Sequence, residues 1–113
     1  MRVSQTAVLP PELASEAEKI GARLARLRIA RHISQTEAAL RAGFSRNTAY
    51  RLEKGDPGLA LGQLLRYLDA IAPGKSLQRF LAEDDSAIAA LEERERRKRV
   101  RPMSKRELDD LNF

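Results

Sequence analysis

The chain has 113 residues, a third of them charged, with a net charge of +5, one histidine and no cysteine. That composition excludes a disulfide framework and any thiolate metal site, and the length allows about one domain with a small core. The absence of any run of eighteen apolar residues, and of a basic leader followed by an apolar stretch, sets the expectation of a soluble, cytoplasmic protein.

Residues 1–9 carry no sustained period and read as a loose arm. Pro10-Pro11 followed by Glu12 suits the first turn of a helix, and Ile20, Leu24 and Leu27 then recur at helical spacing toward an end near His32. Arg23, Arg26 and Arg31 fall outside that stripe, as a solvated face or as phosphate contacts. Ser34 and Glu37 form a capping box: the serine oxygen accepts from an orphan N–H, and the glutamate reaches back to the cap. The second helix is brief, because Gly43 can take the left-handed conformation that ends it and Ser45 can cap the next.

The third helix runs from about Arg46 to Lys54. Gly55, Asp56, Pro57 and Gly58 form the strongest breaker cluster in the chain. Leu61, Leu64, Leu65, Leu68 and Ile71 define a fourth helix closed by Pro73-Gly74, and Ser76 caps a fifth that contains Leu77, Phe80 and Leu81. No stretch alternates as a strand does, so the fold class is all-α, with five helices.

Beyond Glu83 the apolar pattern thins to Ile88 and Leu91 before the run "EERERRKRVR". Glu92 with Arg96, Glu93 with Arg97 and Glu95 with Arg99 stand in the favourable i,i+4 order, which supports a charged C-terminal helical extension. Ser104 with Glu107 forms a further capping box, with Met103 and Leu108 as a hydrophobic staple and a last turn or two ending at Leu111. The cations from Arg94 to Arg101 suit a solvated helix, a nonspecific DNA arm or a docking segment for a partner.

The positive charge is not spread evenly. Residues 20–55 hold 8 basic and 2 acidic groups, +6, and residues 92–106 hold 8 and 3, +5. Charge that binds a polyanion has to be concentrated in this way. A short helix, a tight glycine turn and a second helix that opens on hydrogen-bonding side chains follow helix-turn-helix logic. With the third helix in a major groove, Arg46 and Asn47 approach base edges: an arginine can bridge guanine O6 and N7, an asparagine adenine N6 and N7. Arg51 lies one turn on from Asn47, while Ala49 and Leu52 point to the core.

"IGARLARLR", "SQTEAALRAGFS" and "RNTAYRLEKG" together make residues 20–72 resemble the DNA-binding domain of the Xre or Cro-like phage-repressor family, which includes HipB-type antitoxins. The resemblance implies a five-helix repressor-like domain. It assigns Arg46, Asn47 and Arg51 to base reading, and Gln35, Ser45, Thr48 and Lys54 to the DNA backbone. It also pairs Arg28 with Glu53, read here as architectural. Tyr50 stands where the family has a small or polar residue, to meet a sugar or phosphate or to pack on its own helix. Ala38 and Ala49 replace larger aliphatics, and the loop from Gly55 to Leu61 is longer than usual.

The expected organisation is an N-terminal arm over 1–14, a helix-turn-helix domain over 15–83 and an extension over 84–113 for dimer or partner contact. The expected function is a dimeric, nucleoid-associated repressor of transcription that binds double-stranded DNA. The alternatives are a HipB-like antitoxin, which would hold a toxin through 86–113, and an adaptor that uses the fold without DNA. A single histidine, no glycine-rich phosphate loop and no spaced ligand set lead to the expectation of no enzyme activity, no cofactor and no metal.

Overall fold

The computed structural model describes residues 4–82 and 86–100. All regular structure among them is helical: α1 (Gln5–Val8), α2 (Pro11–Ala30), α3 (Gln35–Ala42), α4 (Arg46–Glu53), α5 (Leu61–Ile71), α6 (Leu77–Leu81) and α7 (Ser86–Val100). The five helices expected of the domain correspond to α2 through α6. The charged extension forms α7, and the unexpected element is the one-turn helix α1 within the arm, which makes seven helices among the described residues. The capping box at Ser104, the staple and the turn ending at Leu111 lie outside the described residues.

Local chemistry sets the boundaries. Pro11 occupies the first position of α2, where a missing N–H costs nothing. The helix ends in a Schellman motif: His32 takes a left-handed φ of 58°, with His32 N–H donating to Ile29 O and Ile33 N–H to Arg28 O. The lone histidine is therefore the left-handed residue that follows the Arg31 cap. Ser34, Ser45 and Ser76 cap α3, α4 and α6 by accepting from Glu37, Thr48 and Arg79 N–H at 3.1–3.2 Å. The Glu37 carboxylate accepts from Arg41 Nε, one turn on, at 3.0 Å, an ion pair where the capping box had it reaching back to Ser34. Gly43 ends α3 at φ 82°.

The core lies where α2, α3, α4 and α5 meet, with Phe80 of α6 and Ile88 of α7 joining it. Leu24, Leu27, Tyr67, Leu68, Ile71 and Phe80 are fully buried, each worth about 1.5–3 kcal/mol of apolar transfer. The small residues Ala38, Ala39 and Ala42 of α3 and Ala49 of α4 are buried in this core, where α3 packs on both α4 and α5. Phe44, in the turn, stacks on Tyr67 with ring centroids 5.9 Å apart. The apolar stripe of α5 is rotated from the expected one. Tyr67 is buried, whereas Leu61 and Leu65 are exposed, because the inward positions are 64, 67, 68 and 71.

The extension folds back on the domain. α7 packs on α2, with Ile88 and Leu91 buried, and Arg26 forms a bidentate pair with Glu95. Glu95 is thus drawn to α2 rather than to Arg99. Of the three expected i,i+4 pairs, Glu93 with Arg97 forms at 3.3 Å, whereas Arg96 turns to Glu93 in place of Glu92 and Glu95 makes an interhelical bridge to Arg26 in place of Arg99.

Candidate nucleic-acid interface

The turn between α3 and α4 fixes which side of α4 faces outward. At about 100° per residue, Ala49 and Leu52 point into the core while Arg46, Asn47, Tyr50 and Lys54 cover the opposite face, with Arg51 at its margin. Gln35, at the first turn of α3, stands beside them: Gln35, Arg46, Asn47 and Tyr50 line one open concavity of about 300 Å³. Four of the expected DNA-contacting residues therefore converge. Ser45 and Thr48 sit at the start of α4, where their hydroxyls are 3.1 Å apart and the serine holds the cap. Lys54 Nζ lies 5.4 Å from the centre of the Tyr50 ring, so these two exposed side chains of one helix cover each other.

Arg51 is placed differently. Its Nε donates to Asp56 Oδ2 at 2.7 Å, which turns the side chain toward the loop after α4 and away from the concavity. The Gly58 N–H, donating to Asp56 Oδ1 at 2.8 Å, and the Arg51 guanidinium hold the Asp56 carboxyl below its usual pKa.

Behind the exposed face, Glu53 is the fixed point. Its side chain is 7% exposed and accepts from Arg28 Nε at 2.7 Å, Arg28 Nη2 at 3.1 Å, Gln35 Nε2 at 3.1 Å and the Tyr67 hydroxyl. Arg28 Nη1 also donates to Ile33 O at 2.9 Å. This network joins α2, α3, α4 and α5 at one carboxylate, and so sets the angle at which α4 is presented. Glu53 raises the pKa of Arg28 further, and burial together with the hydrogen bond to Glu53 pushes the Tyr67 hydroxyl well above its ordinary value. Both groups remain donors at any physiological pH.

The sequence identified Arg28 and Glu53 but not Tyr67, whose place at helical spacing from Leu64, Leu68 and Ile71 was the available signal. Arg66 was also missed. It donates to Ala42 O at 2.6 Å and lies over the Phe44 ring, closing the C-terminus of α3 with a cation where the helix dipole is negative. Gly21 was missed as well: a Cβ there would stand 2.5–2.7 Å from backbone atoms of Leu52, Glu53 and Gly55. Only a bare backbone lets α2 approach the end of α4 so closely.

The expected phosphate or solvent roles of Arg23 and Arg26 need correction. Arg23 Nε donates to Phe80 O at 2.9 Å, and its guanidinium lies 5.5 Å from the Phe80 ring centre. Arg26 is held by Glu95. Within 20–55, Arg26, Arg28, Arg41 and Arg51 pair with carboxylates of described residues, and Arg46 and Lys54 stand on the exposed face of α4.

Among the described residues no helix is long and apolar enough to cross a membrane, and no cluster of His, Asp and Glu has the makings of a metal site. Comparison with curated proteins and with solved structures gives no match. A family model described as a helix-turn-helix domain matches residues 19–74, from within α2 to the turn after α5. This segment, with α3 and α4 as its helix pair and Gly43 at the turn, is a helix-turn-helix domain.

Proposed function

We propose that the chain is a sequence-specific, DNA-binding transcriptional regulator of the Xre/Cro-like type, a homodimeric repressor that occupies its operator. The observation that carries this reading is the division of α4: a buried face braced through Glu53, and an outward face of Arg46, Asn47 and Tyr50 that meets Gln35 of α3.

A major groove about 12 Å wide admits one helix. With α4 in it, Arg46 and Asn47 reach base edges and Arg51 reads from the margin, while Gln35, Ser45, Thr48, Tyr50 and Lys54 meet phosphate and sugar. Two copies would place α4 in half-sites about 10 bp apart. The exposed Leu61 and Leu65, one turn apart on α5, support a dimer, since a second copy would remove them from water.

Selection from a random duplex pool tests the reading. A repressor enriches a two-fold symmetric site, and its affinity falls steeply with salt as counterions are released. Weak, salt-insensitive binding with no enriched site would refute it in favour of an adaptor. An antitoxin of the HipB kind would enrich a site in the same way and differ in holding a second protein on 86–113.

A further inference from the structure

We propose that Asp56 is a specificity-determining residue: its carboxylate orients Arg51, so that the free edge of the guanidinium is presented to one base pair. The inference rests on the proposed DNA-binding role of α4 and assigns a purpose to the loop that follows it.

The loop fixes Asp56 before any ligand arrives. Asp56 N–H donates to Arg51 O at 3.0 Å, and Gly55 N–H to Leu52 O at 3.0 Å, so the loop backbone is bonded to the last turn of α4. Gly55, at φ 77°, abuts the backbone of Ala17 and Glu18 in α2. Both carboxylate oxygens are used, Oδ1 by the Gly58 N–H and Oδ2 by Arg51 Nε. The acceptor therefore has a defined position, and the arginine bonded to it has a defined direction.

A guanidinium has five N–H donors in a rigid fork. Engagement of Nε leaves the Nη1 and Nη2 edge, which can still donate two parallel bonds to guanine O6 and N7. The rotamer freedom of a long side chain is restricted in advance, which lowers the entropy lost on binding. The side chains of Arg51 and Asp56 are 43% and 25% exposed, so the pair borders the outward face of α4 without being sealed from a ligand. A carboxylate beside a polyanion weakens binding to every sequence. Its placement here therefore favours discrimination over raw affinity. The lowered Asp56 pKa keeps it charged throughout the neutral range.

Asp56→Asn separates the roles. The Asn Oδ1 can still accept from Gly58, whereas its NH2 faces Arg51 as donor against donor. Site selection and competition binding are run on the wild-type chain, Arg51→Ala, Asp56→Asn and the double variant. The expected result is a base preference that Arg51→Ala reduces about tenfold, that Asp56→Asn reduces at the same position, and that the double variant reduces no further. Binding of Asp56→Asn to unrelated duplex stays equal or becomes tighter, and its melting temperature stays within about 4 °C of wild type, as for an exposed pair. Retention of the full preference in Asp56→Asn overturns the inference, as does a wild-type preference that Arg51→Ala leaves intact. Absence of any selected site in the wild type instead overturns the DNA-binding reading and this inference with it.

Discussion

Replacing Glu53 by alanine removes one side chain but strands groups on three other helices. Arg28, 15% exposed, would lose both bonds to the carboxylate and keep the one to Ile33 O; Gln35 would lose an acceptor; and the fully buried Tyr67 hydroxyl would lose the carboxylate that accepts from it. Breaking a buried ion pair by deleting one member costs about 3–5 kcal/mol, because the remaining charge stays desolvated. For a domain of this size 1 kcal/mol moves the melting temperature by about 4–8 °C, so Glu53→Ala should melt about 12 °C or more below wild type. Glu53→Gln keeps the shape and one acceptor oxygen, and should fall between the two. Thermal unfolding followed by far-ultraviolet circular dichroism, with urea titration at 25 °C, measures both. If Glu53→Ala and Glu53→Gln each melt within about 4 °C of wild type, the network does not brace the domain and the account of how α4 is held fails.

Arg46→Ala should cost about 1–3 kcal/mol on the selected site and relax preference at one base pair; an equal loss on all duplexes in competition assays would reduce Arg46 to a phosphate contact. Gly21→Ala places a methyl against the backbone of Leu52, Glu53 and Gly55, so unfolding should show at least the 1–3 kcal/mol typical of overpacking, and an unchanged melting curve would refute the close approach. Tyr67 has a folded pKa raised above its unfolded value near 10, so its contribution to stability is complete below pH 10 and declines above it as the unfolded chain deprotonates first. Tyr67→Phe should accordingly lose less stability than wild type between pH 9 and about 11 in urea titrations; parallel losses would count against the buried, hydrogen-bonded hydroxyl.

The sequence alone determined the local architecture. Serines at 34, 45 and 76, the glycine at 43 and the breaker cluster at 55–58 act through backbone groups within a turn, so helices α3, α4 and α6 begin where the sequence places them. Burial of Ala49 and Leu52 with exposure of Arg46, Asn47 and Tyr50 follows from helical period, which is also a local property. The partners of the charges were decided only by tertiary structure. Glu95 has arginines one turn away on its own helix, yet it pairs with Arg26 because packing of Ile88 and Leu91 on α2 brings that guanidinium within reach. Arg51 has the spacing of a groove residue and is turned by an aspartate five positions later, whose place depends on how the loop lies under α2. Tyr67 reaches Glu53 only once α5 has docked. A cation in a sequence has a charge and a face, whereas its role depends on which carboxylate or carbonyl the packed helices bring within about 3 Å.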